Sequence, residues 1–245
     1  PGHQGQHQLR PPTKTSSTMQ FSAVILALAF GTAAAFQPFA KAPATKAPLK
    51  AATTGGSPDS LNGWVPDENA FAWGLPGALE PMGNFDPAGF ADGCSLNEMK
   101  RYREAEVTHG RVAMLSVVGF LVAESFHPLF GGQIIGPAIY HLTEVRQVQP
   151  EFFELLAVAI GIVETSRAQN GWTPPAQVEG KQFLNDDYYP GDINFDPLGL
   201  KPEDPAEFAE MQTKELQHGR LAMLASMGFI AQELTDQMGI FEHFA

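Results

Sequence analysis

An internal repeat constrains the fold of this 245-residue chain more than any other feature of its sequence. Residues 106–115 read EVTHGRVAML and residues 215–224 read ELQHGRLAML, so the two segments align without a gap. A second pair precedes them in the same order, NFDPAG at residues 84–89 and NFDPLG at residues 194–199. Two matched pairs in one order predict two copies of a single structural unit, related by an approximate twofold axis.

Each copy of the repeat is predicted to form a long helix. No proline interrupts residues 95–126, and the second copy extends from about residue 205 to residue 236. At 1.5 Å per residue each helix is about 45 Å long, enough to cross a lipid bilayer. A third, shorter helix is predicted between them over residues 150–167. The predicted fold class is an all-α membrane protein with three transmembrane helices. The first and third form a pseudo-twofold crossed pair, and a short amphipathic turn follows the third.

The N-terminal quarter of the chain has the composition of targeting sequence. Residues 1–18 are polar and precede the first methionine, which is typical of a leader outside the native reading frame. Residues 19–35 join a short apolar core to small residues ending at Ala35, which predicts a signal peptide. Residues 36–56 are basic and free of acid, as plastid transit segments are. A membrane anchor and a disordered linker are the alternative interpretations. The folded domain is predicted to be residues 57–245.

Charge and cysteine content exclude several classes of function. Lysine and arginine number 15 against 27 aspartates and glutamates, which leaves a formal charge of -12. Nucleic acid is excluded as a partner, because binding phosphates calls for a clustered basic surface. The single cysteine, Cys94, excludes an internal disulfide and a multi-cysteine metal site. The sequence contains no recognisable nucleophile–base motif or phosphate loop, so the chain is not predicted to be an enzyme.

Each repeat helix carries a glutamate, a histidine and an arginine inside its predicted membrane segment. They are Glu106, His109 and Arg111 in the first copy and Glu215, His218 and Arg220 in the second. Unpaired charges in hydrocarbon are expensive, so these side chains are expected to pair across the two helices. Twofold symmetry predicts a pair between Glu106 and Arg220. The same symmetry predicts a pair between Glu215 and Arg111.

The same residue types suit the magnesium ion of a pigment. A neutral imidazole supplies a nitrogen ligand, and a carboxylate supplies oxygen to a hard ion such as Mg²⁺. A carboxylate can also bind an arginine through one oxygen and a metal through the other, which leaves the site neutral. Gly110 and Gly219 are expected to let the two backbones approach closely enough for these bridges. Chlorophyll, which needs one axial ligand, fits this pattern; intramembrane charges are also typical of ion pathways.

These motifs together resemble those of the chlorophyll-binding light-harvesting superfamily. The resemblance rests on Glu-x-x-His-Gly-Arg followed by Ala-Met-Leu in both copies, and on the two Phe-Asp-Pro loops that precede them. It covers roughly residues 60–245. The acid-rich, phenylalanine-rich chain and its two-part presequence resemble the fucoxanthin chlorophyll a/c-binding branch. Residues 71–82, FAWGLPGALEPM, resemble the members attached to photosystem I.

This resemblance implies a set of pigment ligands when the family pattern is transferred position by position. The implied axial ligands of chlorophyll magnesium are Glu106, His109, Glu164, Glu215, His218 and Gln232, with Arg111, Arg220 and Arg167 as ion-pair partners. The Phe-Asp-Pro loops match segments that hold the ends of the central carotenoids, which implicates Asp86 and Asp196. Leu156 stands where plant relatives have a glutamine ligand, and His218 stands where the family often has asparagine.

Three further histidines are candidates for pigment binding. They are His127, His141 and His243. A loop histidine that is simply solvated is the alternative interpretation of each. Met114 and Met223, at equivalent positions of the repeat, are interpreted as packing residues.

The resemblance implies a light-harvesting antenna protein, multi-pass in the plastid thylakoid membrane. Its implied cofactors are chlorophyll a, chlorophyll c, fucoxanthin and related xanthophylls. Its implied partners are a photosystem core, with photosystem I favoured, neighbouring antenna proteins and thylakoid lipids. One alternative is a photoprotective member, in which protonation of lumen-facing acids switches the pigments to dissipate energy. A different class is a small proton or ion transporter, although three helices enclose little aqueous volume.

Overall fold

The computed structural model describes residues 60–177 and 182–243. The predicted leader, signal and transit-like segments, residues 1–56, lie outside the described residues. The described parts contain five α-helices and no β-strand longer than an isolated bridge. The helices are α1 (Leu96–Ser125), α2 (His141–Val148), α3 (Phe152–Gly171), α4 (Pro205–Asp236) and α5 (Ile240–His243). Single 3-10 turns occur at Phe71–Gly74, Leu129–Gly132, Ala138–Tyr140 and Pro175–Gln177.

All three predicted long helices are present, and their ends follow from local sequence. Ser95 begins α1 with a capping box, in which its side chain accepts from Glu98 N while the Glu98 carboxylate accepts from Ser95 N. Asp204 caps α4 in the same way by accepting from Glu207 N. Gln237 ends α4 in the left-handed conformation, with a φ of 56°. The short helix α5 follows where a C-terminal turn was predicted.

The helices α1 and α4 cross at a pair of glycines. A Cβ atom on Gly110 would lie 3.0 Å from the Cα atom of Gly219, and one on Gly219 would lie 2.9 Å from Gly110 Cα. The rings of Phe120 and Phe229 meet edge to face farther along, with centroids 6.1 Å apart. In both contacts a residue touches its own equivalent in the repeat, as expected for residues that lie on a local twofold axis. The absence of side chains at the glycines is what permits so close a crossing.

Much of the apolar surface of the long helices faces outward. The exposed apolar side chains include Val112, Leu115 and Val118 in α1, Val158, Ile160 and Ile162 in α3, and Leu221, Leu224 and Met227 in α4. A water-soluble domain of this size would cover such surface. By length and composition, α1 qualifies as a membrane span among the described helices, although no 18-residue stretch of the sequence is free of polar residues. The outward apolar faces require lipid or bound apolar molecules to cover them.

A small core lies at the N-terminal ends of α1 and α4 rather than between the apolar faces. Trp64, Leu75, Met99 and Tyr189 form this cluster, in which the Trp64 and Tyr189 rings meet edge to face at 5.9 Å. It joins the loop before α1 to the loop before α4. The two loops are thereby held against the charged segments of the repeat helices.

Candidate functional site

Two ion pairs join α1 and α4 near the glycine crossing. Arg220 Nε donates to Glu106 Oε1 over 2.7 Å. Arg111 Nε donates to Glu215 Oε1 over the same distance, 2.7 Å. The structure therefore brings together both predicted pairs. Arg103 Nε adds a contact of 3.2 Å to the second oxygen of Glu106, and it is particular to the first copy because the second copy has a glutamine at the equivalent position.

Each bridging arginine also binds a backbone carbonyl of a loop. Arg220 Nη1 donates to the Gly77 carbonyl over 2.6 Å. Arg111 Nη1 donates to the Gly191 carbonyl over 2.8 Å. Both glycines have a positive φ, 121° and 85°, which favours glycine over other residues. A Cβ atom on Gly77 would also lie 2.7 Å from Leu216 Cδ1, so the loop sits directly against α4.

The two loop glycines, whose carbonyls accept from the arginines, were not singled out by the sequence analysis. A Pro-Gly pair precedes each Phe-Asp-Pro motif, at residues 76–77 and 190–191, and this recurrence was a usable signal. It was missed because the spacing between the two motifs differs in the two copies.

The two repeat histidines are oriented by the turn of helix that precedes them. His109 Nδ1 lies 2.7 Å from the Ala105 carbonyl oxygen, and His218 Nδ1 lies 2.7 Å from that of Lys214. A ring nitrogen that bonds a carbonyl oxygen must be the donor, so in the neutral form of either imidazole Nε2 has the free lone pair. Both imidazoles are exposed on the helix surface. This orientation leaves Nε2 of each imidazole directed away from its own helix backbone, where it could serve as a ligand.

The middle helix contributes Glu164 and Arg167, which pair with each other and with α1. Arg167 Nη2 lies 2.7 Å from Glu164 Oε2, and Arg167 Nη1 lies 2.7 Å from Glu104 Oε1. The Glu164 carboxylate is about half exposed, whereas that of Glu104 is buried. Leu156, about two turns before Glu164 on the same helix, is exposed and offers no ligand atom. Glu104 was not predicted as a site residue.

Two glutamates at equivalent positions, Glu124 in α1 and Glu233 in α4, lie near the C-terminal ends of these helices. Each accepts a backbone hydrogen bond from the segment that follows the other helix. Ile139 N donates to Glu233 Oε2 over 2.7 Å, and Ile240 N donates to Glu124 Oε2 over 2.7 Å. The neighbouring Gln232 has a buried amide nitrogen without a hydrogen-bond partner among the described residues. The predicted role of Gln232 as a pigment ligand stays a prediction.

The three other candidate histidines lie close to these ends. His141 Nε2 is 2.7 Å from the Gly136 carbonyl oxygen, and the rings of His127 and His141 are 6.4 Å apart. His127 Nε2 is buried and makes no hydrogen bond within the described residues. His243 is on α5, where its Nδ1 lies 3.0 Å from Asp236 Oδ2. The predicted role of each in pigment binding stays a prediction.

The two Phe-Asp-Pro loops have the same internal geometry. Asp86 accepts from Phe90 N and Ala91 N, at 3.1 and 2.7 Å. Asp196 accepts in the same way from the amides of residues 200 and 201, at 3.0 and 2.9 Å. The backbone N–H of Ala91 lowers the pKa of Asp86, and that of residue 201 lowers the pKa of Asp196. Both carboxylates therefore shape the loops that enter α1 and α4.

Removing either loop carboxylate is expected to loosen its loop. In Asp196→Ala the amides of Leu200 and Lys201 lose their acceptor, so they should exchange hydrogen several-fold faster. Because the folded pKa is lowered, the stabilisation is present above the ordinary aspartate value of 3.8 and is lost only as pH falls through the lowered value. Hydrogen exchange should therefore show both loops intact from pH 7 to pH 5. The matched control is Glu203→Ala, whose exchange at residues 200 and 201 should equal that of the unaltered chain.

A helix pair that crosses at two glycines and is joined by two ion pairs is the arrangement that the sequence analysis predicted for a chlorophyll-binding protein. A family model described as chlorophyll A-B binding protein matches residues 71–234. The chain belongs to this family, which confirms the resemblance drawn from the repeat.

Among its relatives are two groups of algal proteins and a group of plant proteins. Light-harvesting complex stress-related protein 3.2, chloroplastic, of Chlamydomonas reinhardtii is 51% identical over 189 residues, which covers 74% of this chain and 71% of the relative. A fucoxanthin-chlorophyll a-c binding protein of Isochrysis galbana is 52% identical over 165 residues, covering 66% and 77%. A chlorophyll a-b binding protein of Petunia hybrida is 32% identical over 194 residues, covering 74% and 70%.

Proposed function

We propose that this chain is a light-harvesting antenna protein of the plastid thylakoid membrane. It binds chlorophylls and carotenoids and passes their excitation energy to a photosystem. The observation that carries the proposal is the pair of equivalent Glu, His and Arg sets, each placed beside uncovered apolar helix surface. Polar metal ligands next to apolar surface match a pigment that has a magnesium centre and a large apolar ring.

The donor set of this chain fits the magnesium of chlorophyll. The proposed ligands are Glu106, His109, Glu164, Glu215, His218 and Gln232, which offer only nitrogen and oxygen atoms. Arginine at the three glutamates offsets the carboxylate charge, so each site is close to neutral within the membrane. When bound, the pigments supply the absorption of light. The protein residues hold the pigments apart at defined positions and exclude water from them.

The proposed membrane arrangement has α1, α3 and α4 as three spans, with α1 and α4 related by the pseudo-twofold axis. Support comes from the exposed apolar residues in all three helices. Two charged residues that reduce the hydropathy of α4, Glu215 and Arg220, pair with α1. A paired charge costs far less in a bilayer than an isolated one, so these residues are compatible with a span.

The pigments proposed are chlorophyll a, chlorophyll c, fucoxanthin and related xanthophylls, because one group of relatives is named for fucoxanthin and chlorophyll a-c. The Asp86 and Asp196 loops are proposed to hold carotenoid ends. The partners proposed are a photosystem core, with photosystem I favoured by residues 71–82, neighbouring antenna proteins and thylakoid lipids. His127, His141 and His243 are kept as proposed peripheral pigment contacts.

A photoprotective role is the second candidate function. Relatives named as stress-related proteins are 51% identical to this chain. In addition, Glu233 is fully buried, and one oxygen each of Glu124 and Glu233 lacks a hydrogen-bond partner in the described parts of the chain. The carboxylates of the buried Glu233 and the partly buried Glu124 lie close together at the C-terminal ends of α4 and α1, and this acidic pair is the feature that favours a role responding to acid. Fluorescence lifetimes of the pigmented protein at pH 7.5 and pH 5.5 separate the roles, since a pure antenna keeps one lifetime.

To test the antenna proposal, a protein comprising residues 57–245 is refolded in the presence of a total pigment extract from thylakoid membranes. Stoichiometric chlorophyll and carotenoid, and chlorophyll emission excited through carotenoid absorption, are expected. A chain that folds in lipid and retains no pigment would contradict the proposal. Passage of ions through the same lipid vesicles without pigment would instead support the transporter alternative.

Single ligand replacements are expected to remove single pigments. His109→Leu and Gln232→Leu each delete one proposed axial ligand and no ion pair, so most of the bundle should remain folded. We expect the loss of about one chlorophyll per protein in each variant, measured by pigment extraction and absorption spectra. Gln169→Leu on exposed surface of α3 is the matched control and should keep every pigment. Unchanged pigment content in both ligand variants would show that these two residues are not ligands.

A further inference from the structure

The middle helix α3, which carries the proposed pigment ligand Glu164, is exposed along most of its length. Among its residues only Gly171, at its C-terminal end, is buried. Its polar connection to α1 is made by Arg167. We propose that Glu104 is a positioning residue, which docks α3 on one face of the α1–α4 pair and thereby sets the pigment site at Glu164. The inference rests on the proposed function and adds to it a residue outside the ligand set.

Glu104 is buried, and its carboxylate accepts hydrogen bonds from three residues. It is 2% exposed, although it is a charged residue on a membrane-facing helix. Its Oε1 atom binds Arg167 Nη1 at 2.7 Å. Its Oε2 atom accepts from Gly191 N at 2.6 Å and from the Tyr188 hydroxyl at 3.2 Å. One carboxylate therefore ties α1 to α3 and to the loop before α4.

A carboxamide cannot replace this carboxylate. Both oxygens of Glu104 face donors, from Arg167 on one side and from Gly191 and Tyr188 on the other. In Glu104→Gln one oxygen becomes an NH₂ group, which must then face one of these donors. Burial removes the option of water as a substitute partner, so the lost bond is not recovered.

The repeat shows why α3 occupies one face and not the equivalent one. The position equivalent to Glu104 in the second copy is Thr213, whose hydroxyl donates to its own helix at the Ala209 carbonyl. Thr108, which accepts from Arg167 Nη1 at 3.2 Å, is likewise replaced in the second copy by a glutamine. The ion pairs and glycines are duplicated in both copies, whereas the acceptor for Arg167 is not. Glu104 thus breaks the twofold symmetry at the docking face of α3.

Glu104 also connects two proposed pigment ligands on different helices. On one side Arg167 spans from Glu104 to Glu164, with 2.7 Å contacts to each carboxylate. On the other side Gly191 donates its N–H to Glu104 and accepts from Arg111, the partner of Glu215. Loss of the central carboxylate leaves Arg167 with Glu164 on its own helix and with only the longer contact to the neutral Thr108 hydroxyl on α1, so the guanidinium is held less firmly against α1. The pigment at Glu164 is therefore the one that depends on Glu104.

The test compares Glu104→Gln with Glu164→Leu in reconstituted, pigment-loaded protein. Both variants are expected to lose about one chlorophyll, and their absorption difference spectra against the unaltered protein should superimpose. Tyr188→Phe removes one donor and keeps the carboxylate, so it should retain the pigment and shift the same absorption band. Glu210→Gln is the matched control on an exposed ion pair of α4, and should change neither pigment content nor spectrum.

A distance measurement reports docking without reference to pigments. Spin labels at Val118→Cys in α1 and Ile160→Cys in α3, in a Cys94→Ser background, give the α1–α3 distance distribution. Glu104→Gln should broaden it, and Glu210→Gln should not.

Two outcomes would overturn the role of Glu104. One is a full pigment complement and an unaltered distance distribution in Glu104→Gln. The other is loss of pigments from all sites alike, with a spectrum unlike that of Glu164→Leu, since this would make Glu104 a general scaffold residue. Failure of the unaltered chain to bind pigment would refute the proposed function instead, and the distance distributions would still decide whether Glu104 docks α3.

Discussion

Glu215→Gln is expected to reduce the yield of folded, pigmented protein sharply, although the new side chain keeps an oxygen able to reach magnesium. The change removes the charge that pairs with Arg111 at 2.7 Å and leaves the guanidinium uncompensated within the membrane. Arg111→Leu strands Glu215 in the same manner. Breaking a buried pair costs about 3–5 kcal/mol, and the partial exposure of both side chains places the expected loss near the lower limit, about 3 kcal/mol.

The double variant Glu215→Gln with Arg111→Leu removes both charges and should recover much of the yield. The loss of stability in the double variant is therefore expected to be much smaller than the sum of the losses in the two single variants, which corresponds to a large coupling energy. The equivalent cycle at Glu106 and Arg220 should show coupling of the same sign, reduced because Arg103 also contacts Glu106. Refolding yield and thermal stability with pigment, measured for all members of both cycles, give the coupling energies. Additive losses in both cycles would show that these residues do not act as partners.

Gly110→Ala and Gly219→Ala are expected to separate the crossed helices. The added Cβ atom would lie 3.0 Å from the opposite Cα atom in Gly110→Ala and 2.9 Å in Gly219→Ala, at or below the shortest distances that Cβ atoms adopt, and a backbone cannot rotate away as a side chain can. Overpacking of this kind costs about 1–3 kcal/mol, and both ion pairs would be stretched with it. The replacement of glycine by alanine inside a helix should otherwise stabilise by about 1 kcal/mol. A net loss of stability in either variant would therefore come from the contact of the added Cβ atom with the opposite helix.

Gly119→Ala and Gly228→Ala provide the matched controls for this prediction. They lie on the same two helices, at equivalent positions of the repeat, and a Cβ atom on either meets no other atom within 4 Å. We expect both controls to be as stable as the unaltered protein or more so, by thermal denaturation followed with circular dichroism. Equal stability of the crossing variants and the controls would mean that the close crossing does not occur in the membrane.

The repeat helices and their pairing were predictable because the information is local and duplicated. Ser95 and Asp204 mark the starts of α1 and α4, and the runs without proline mark their lengths. The pairing of Glu106 with Arg220 followed from the equivalence of the two copies and the high cost of an unpaired charge in lipid. The histidine tautomer likewise depends on a carbonyl four residues earlier in the same helix, at Ala105 for His109.

The sequence by itself thus determined the helices, the crossed charges and the family, since periodicity, capping and repetition act over short distances or are present twice. Only the tertiary structure decided that Gly77 and Gly191 complete the arginine sites and that Glu104 holds α3. These contacts join residues 143, 80 and 63 positions apart. The first two depend on loops whose paths have no periodic pattern, and the third depends on how α3 lies against α1. The second copy has a threonine, Thr213, at the position of Glu104. The sequence does not show that this exchange matters, because only the packed structure places Arg167 beside Glu104. Long-range contacts that occur in only one copy of the repeat depend on how the whole chain packs, and no local sequence pattern encodes that packing.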